Sequence, residues 1–274
     1  MSETLPQPAP VTADTFERYA HFLKRTREMG VVGHRGGLQA TRDLIEMCEL
    51  QPGQRILEVG CGSGYTACTV AKEHGVFVAA ADLEPHLIAR SRQRARSSKV
   101  ESSVELALAD ARRLPFADAA FDGVICESIL AFLEDKATPL AEFHRVLKPG
   151  GFVALNEITF LETPPADLLS ALRGAAQRVP GFLAVPVDPA EHRRLLEDGG
   201  FTSIRVETGD VPTRQQIMEQ LQVDGFRALK PFFASIFDRE MRQAVYRREM
   251  GEAQRVFEAH TGYGLYFGRK PPVA

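Results

Sequence analysis

Five short apolar runs constrain the fold of this 274-residue chain more than any other feature. They are residues 55–60 (RILEVG), 76–83 (VFVAAADL), 104–110 (VELALAD), 121–128 (FDGVICES) and 151–158 (GFVALNEI). Helix-length segments lie between them at 65–74, 85–97 and 139–147, with a weaker one near 130–135. Short runs with little polar alternation suit strands that are buried on both faces. Alternating with amphipathic helices, they form βαβ units and a parallel sheet, with right-handed crossovers and helices on both faces.

The flanks read differently. Residues 1–13 are proline-rich, lack periodicity and are expected to be disordered. From Asp14, a plausible N-cap, Phe16, Tyr19, Ala20 and Leu23 recur at helical spacing. Four glycines within residues 30–37 break that helix, and an amphipathic helix follows over 38–50. Beyond Phe160 the alternation loosens. Helices are expected at 166–178 and 189–198, strands at 202–208 and 262–269, and helical or loop-rich chain at 215–222, 225–237 and 238–259. With no internal repeat or low-complexity linker, residues 14–274 are expected to form a single domain.

Composition narrows the function classes. Lys and Arg number 33 against 36 Asp and Glu, a formal charge of −3, so no global basic charge argues for a nucleic-acid partner. The basic run 90–99 falls on one helix without interleaved aromatics for base stacking, and reads as a solvated face. No stretch approaches the roughly 18 apolar residues of a membrane span. The N-terminus has neither the basic nor the apolar region of a signal peptide. Cys48, Cys61, Cys68 and Cys126 form no Cys-x-x-Cys pair and are expected to be reduced and buried, as in a cytoplasmic protein. The seven histidines show no i,i+4 pair, so no metal site is expected.

The informative site is Glu58-Val-Gly60-Cys61-Gly62-Ser63-Gly64, where the first strand runs into glycines at alternate positions and then a helix. Glycines there let the backbone approach a ligand, and a parallel sheet binds ligands where its strand order reverses. Asp82, ending the second strand, has the carboxylate that a ribose diol requires. A dinucleotide site would want G-x-G-x-x-G/A, but its last small position is Tyr65 here; the spacing is G-x-G-x-G.

These residues resemble motif I of the class I S-adenosylmethionine (SAM)-dependent methyltransferases. The resemblance continues in register through Asp82-Leu83, Asp110-Ala111, residues 114–122 (LPFADAAFD) and residues 142–151 (EFHRVLKPGG), covering 35–160 strongly. It implies a Rossmann-like seven-stranded, mostly parallel sheet with an antiparallel last strand. Residues 161–261 would then build the acceptor pocket and a helical lid, and the N-terminal helix a cap. The implied cofactor is SAM, leaving as S-adenosylhomocysteine. Gly60, Cys61, Gly62 and Gly64 would pass under its methionine moiety, Glu58 would support the amino group and Asp82 would bind the ribose. Leu83 would pack on the adenine, with Asp110 and Ala111 at its edge, while Tyr19 would close over the methionine end. His34 and Glu127 are the candidates for contacting donor or acceptor during transfer.

Asn156 and Glu157, at the end of the fifth run, would suit a magnesium site in the catechol-type branch, which the surrounding sequence does not otherwise resemble. His144 falls in a segment that is structural in the family. The expected activity is methyl transfer to an O or N atom of a small aromatic or hydrophobic acceptor. Phe182, Phe226, Phe232, Phe233, Phe237, Tyr246 and Phe257 are available to line its pocket. A non-methylating SAM user and an NAD(P)-dependent oxidoreductase are the alternatives. A homodimer is left open.

Overall fold

The computed structural model describes residues 12–28, 36–210 and 255–273, with positions 215, 218, 219, 221 and 225. Strands β1 (Arg55–Val59), β2 (Phe77–Asp82), β3 (Val104–Leu108), β4 (Phe121–Glu127), β5 (Leu147–Phe160), β6 (Thr202–Gly209) and β7 (Thr261–Arg269) form one sheet. Its order is β3-β2-β1-β4-β5-β7-β6. The first five strands pair in parallel, and β7 runs antiparallel between β5 and β6. Strand order reverses at β1, which lies between β2 and β4, so the crevice past Val59 is the topological switch point.

Successive strand residues face opposite sides, and both sides are covered. Ile56, Val78, Ala80, Ile125 and Ala154 point into one core with α2 (Gly37–Cys48), α3 (Tyr65–His74) and α4 (Pro85–Ser98). Leu57, Val59, Ala79, Ala81, Val124 and Val153 point into the other, with α5 (Ala137–Val146) and α7 (Pro189–Asp198). This two-sided burial is why the strands read as unbroken apolar runs. A third cluster caps the carboxyl ends of β4 and β5. It joins Phe16 and Ala20 of α1 (Ala13–Glu28), Ala131, Phe160, Leu172 of α6 (Ala166–Arg178) and Phe257.

Several local expectations are corrected. Asp14 is not the N-cap of α1. The helix starts at Ala13, with the Thr12 carbonyl accepting from the Thr15 and Phe16 amides, and Asp14 pairs with Arg178 of α6 at 2.7 Å. The segment near 130–135 forms only a 3₁₀ turn, Leu130–Phe132, and α5 starts at Ala137, where Asp135 Oδ1 accepts from the Ala137 and Thr138 amides. Strand β5 is longer at both ends, because pairing with β7 extends it to Phe160. Asn156 and Glu157 therefore lie within the strand, opposite Leu265 and Gly264, and not at its end. Residues 255–260 are helical, whereas most of the expected structure between 211 and 254 lies outside the described residues, as do residues 1–11. Among the described residues, no helix is long and apolar enough to cross a membrane.

Candidate donor and acceptor site

The glycine loop leaves β1 at the switch point. Gly60 adopts φ +79°, and its amide, with that of Cys61, donates to the Ala81 carbonyl, tying the loop to the end of β2. A Cβ at Gly60 would overlap the side chain of Ile129. Gly62 and Gly64 also have positive φ, and the latter directly precedes α3. Ser91 Oγ of α4 donates to the Gly62 carbonyl at 3.2 Å, and Arg94 Nε donates to the Ser63 carbonyl at 2.9 Å. The loop is thus held from the α4 side, and Gly60 and Gly64 admit the close approach of Ile129 and Ser91.

Carboxylates surround it. Glu58 is 5% exposed, and its Oε2 has no hydrogen-bond partner among the described residues. Burial pushes its carboxyl well above the usual range, Glu127 and Asp82 raise it further, and the Ala67 amide opposes them. Asp82 accepts from the Gly62 amide through Oδ2 and from the Glu84 amide through Oδ1, both at 2.9 Å. Those two bonds orient it and leave further lone pairs. Leu83 beside it is 60% exposed, an uncovered apolar side chain at the mouth of the crevice.

Other expected residues are placed less simply. Asp110 lies beyond the end of β3, forked by the Arg112 guanidinium, which holds its carboxyl below the ordinary range. Ala111 packs on the α5 side of the core. Cys61 is buried, its thiol pushed up by burial and lying 3.6 Å from Ser91 Oγ. Tyr19 packs against the cap cluster. Glu127 is clamped by three side-chain donors: Thr41 Oγ1 at 2.9 Å, Thr66 Oγ1 at 2.8 Å and Asn156 Nδ2 at 3.0 Å. It therefore braces α2, α3 and β5 around the loop. His34, Phe226, Phe232, Phe233, Phe237 and Tyr246 lie outside the described residues. Phe257 is core, edge-on to Phe16 at 6.4 Å, and the Lys24 ammonium lies 5.4 Å from the Phe182 ring.

Past the ends of β4 and β5, a cavity of about 1090 Å³ opens between the 3₁₀ turn, α6 and the start of α7. Its apolar lining includes Phe132, Phe160, Leu169, Leu183 and Val187, with Glu134, Lys136, Arg173 and Glu191 among its charged residues. Only Ile129 and Leu130 separate Ala131, on its wall, from Ser128 beyond β4. Among the described residues, no group of three His, Cys, Asp or Glu side chains is placed to hold a metal ion.

Sequence reasoning missed the clamp on Glu127 and the role of Ile129. Thr41 and Thr66 are unremarkable in a helix pattern, and nothing local marks Ile129 as the residue above Gly60. A buried carboxylate oxygen without a donor among the described residues, beside a loop with glycine at alternate positions, suits a ligand that brings an ammonium.

Comparison with known proteins places the fold among methyltransferases. A family model described as "Methyltransferase domain" matches residues 57–155. The chain is 32% identical over 171 residues to the O-methyltransferase rstn1 of Aspergillus nomiae, covering 62% of this chain and 76% of that one. It spans about half the length of several plant relatives that it matches. Among solved structures, the [4+2]-cyclase SpnF superposes with TM-score 0.69 at 22% identity, over 99% of this chain and all of that one. A Haemonchus contortus phosphoethanolamine N-methyltransferase 2, in complex with phosphomonomethylethanolamine and S-adenosylhomocysteine, does so with TM-score 0.68 at 19% identity, over 97% and 61%.

Proposed function

The chain belongs to the class I SAM-dependent methyltransferases, and from that premise we propose that it methylates an O or N atom of a small aromatic or hydrophobic acceptor. The observation that carries this reading is the large cavity, lined by apolar side chains with charged ones among them, that begins beside the 3₁₀ turn closing on the glycine loop. A volume of about 1090 Å³ exceeds what a small aliphatic amine would fill and lies at the upper end for organic ligands.

SAM, when bound, supplies a sulfonium-activated methyl group. The protein's part is to bind, orient and exclude water. Glu58 Oε2 receives the ammonium, Asp82 receives the ribose hydroxyls with its remaining lone pairs, and Leu83 covers the adenine. Asp110 reaches the adenine amine only with the acceptor capacity that Arg112 leaves. Glu127 already accepts three hydrogen bonds, so we assign it to bracing the site and not to taking a proton. Transfer then proceeds mainly by proximity and orientation of the acceptor atom, which supply several kcal/mol of rate enhancement.

The test is calorimetry with SAM, S-adenosylhomocysteine and NAD(P), followed by an acceptor screen with methyl-labelled SAM. The expected result is binding of SAM and S-adenosylhomocysteine but not NAD(P), with label entering aromatic or hydrophobic alcohols or amines. Label in phosphoethanolamine alone would overturn the acceptor assignment. Donor binding without transfer to any acceptor would favour a non-methylating use of the same fold.

A further inference from the structure

Glu157 is a buried carboxylate with no part in the chemistry above. It lies inside β5, fully shielded from solvent, and its three hydrogen bonds all come from the backbone of the turn after β4. Oε1 accepts from the Ile129 amide at 3.0 Å and the Leu130 amide at 2.8 Å, and Oε2 accepts from the Ala131 amide at 3.1 Å. Three consecutive amides on one carboxylate fix the turn far more firmly than its own 3₁₀ hydrogen bonds would. The turn faces two ways. Ile129 lies against Gly60, where any Cβ would collide with it. Ala131 belongs to the cavity wall, and its carbonyl accepts from the Val185 amide at 2.8 Å, anchoring the segment that forms the far side of the cavity.

We propose that Glu157 is a positioning residue for methyl transfer. Through one carboxylate it sets both the side chain that closes on the donor loop and the wall of the acceptor cavity. This rests on the reading that the glycine loop holds the donor. The three amides favour the ionised carboxylate, while burial opposes it and raises its pKa to about 7. The groups facing it are few. Lys136, at the start of α5, favours the charge. Cys126 of β4 and Tyr266 of β7 are themselves pushed up by burial and stay neutral. His192 of α7, stacked on Tyr266, is held down to about 4 and is also neutral near pH 7. Acidification through pH 7 therefore discharges Glu157 against Lys136 alone, weakens the three amide bonds and loosens the turn.

The test uses S-adenosylhomocysteine as calorimetric probe, from pH 6 to 8, on the full chain and three variants. In the wild type, affinity is expected to fall about fivefold to tenfold on acidification, as expected for losing roughly 1 kcal/mol of charge-assisted bonding. Glu157→Gln should bind about that much more weakly at pH 8 and lose the inflection near 7. Ile129→Ala keeps the backbone bonds, so it should weaken binding while retaining the inflection. Leu196→Ala, a core truncation on α7, should lower the melting temperature and leave affinity and inflection unchanged. Wild-type affinity and pH profile in Glu157→Gln would overturn the proposal. Should that variant not fold, unchanged affinity in Ile129→Ala would overturn it. No binding by the wild type would instead reject the donor-site reading itself.

Discussion

Glu58, one residue before the end of the first strand, has a buried oxygen without a partner among the described residues, and that atom makes a quantitative demand on any ligand. Its carboxyl is raised mainly by burial, so an ammonium placed beside it favours the ionised form and drives a proton out on binding. SAM affinity is therefore expected to rise with pH across this titration. Calorimetry in two buffers of different ionisation enthalpy should detect proton release, and zero release would contradict the assignment. Glu58→Gln should weaken SAM binding roughly tenfold by removing a charge-assisted bond. Asp82→Ala should weaken it as sharply, because the carboxylate also holds the Gly62 amide. Glu58, Asp82 and the glycines were legible in sequence because each owes its position to its place at a strand end. The clamp of Thr41, Thr66 and Asn156 on Glu127 was not, because its members come from three elements and meet only after the sheet is formed.

At the scale of elements, the connection between β3 and β4 is long and lacks a helix, yet its chain is held. Arg145 of α5 donates to the Leu114 and Phe116 carbonyls and to Asp118, and Glu142 accepts from the Leu114 amide at 2.7 Å. Arg145 and Glu142 also pair with each other, at 2.7 Å. Together they lash this connection to α5. Asp118 is largely exposed and contributes little, but Arg145 and Glu142 are only partly exposed, so Arg145→Ala strands the Leu114 and Phe116 carbonyls and should cost about 1–3 kcal/mol. Thermal melting checks this, and an unchanged melting temperature would mean that the connection is held by Leu114 and Phe121 packing alone. The start of α5 and the end of β5 were misjudged for a related reason. Asp135 accepts from the Ala137 and Thr138 amides, so the helix starts two residues before the expected Pro139, and pairing with β7 lengthens the strand beyond what its own apolar run shows.

For the whole molecule, two buried groups pull stability in opposite directions with pH. His192 is held down to about 4, chiefly by burial and then by Lys136, and neither ring nitrogen has a hydrogen-bond partner among the described residues. The unfolded chain binds the extra proton between about pH 4 and the free imidazole value, so this group's contribution falls as pH falls through that window. Glu157 is raised to about 7, so the native chain binds the extra proton between the free carboxyl value and 7, and its contribution falls as pH rises. The slopes offset one another between about pH 4.5 and 6.5. His192→Phe keeps the stacking on Tyr266 and removes one slope, so its stability should decline from pH 5 to 7. Denaturant unfolding at both pH values checks this, and a profile parallel to the wild type would refute it. Sequence by itself determined the parallel core and the switch-point loop, because strand periodicity, helix periodicity and glycine placement act over a few neighbouring residues, while the donor followed from the resemblance to a known family. Only the tertiary structure decided the path of β5, the brace on Glu127 and the three amides on Glu157. The brace and the amides depend on groups 26 to 86 positions apart, and β5 on partners in β7 still farther along the chain, brought together when burial excludes water and leaves each polar atom to find a partner inside.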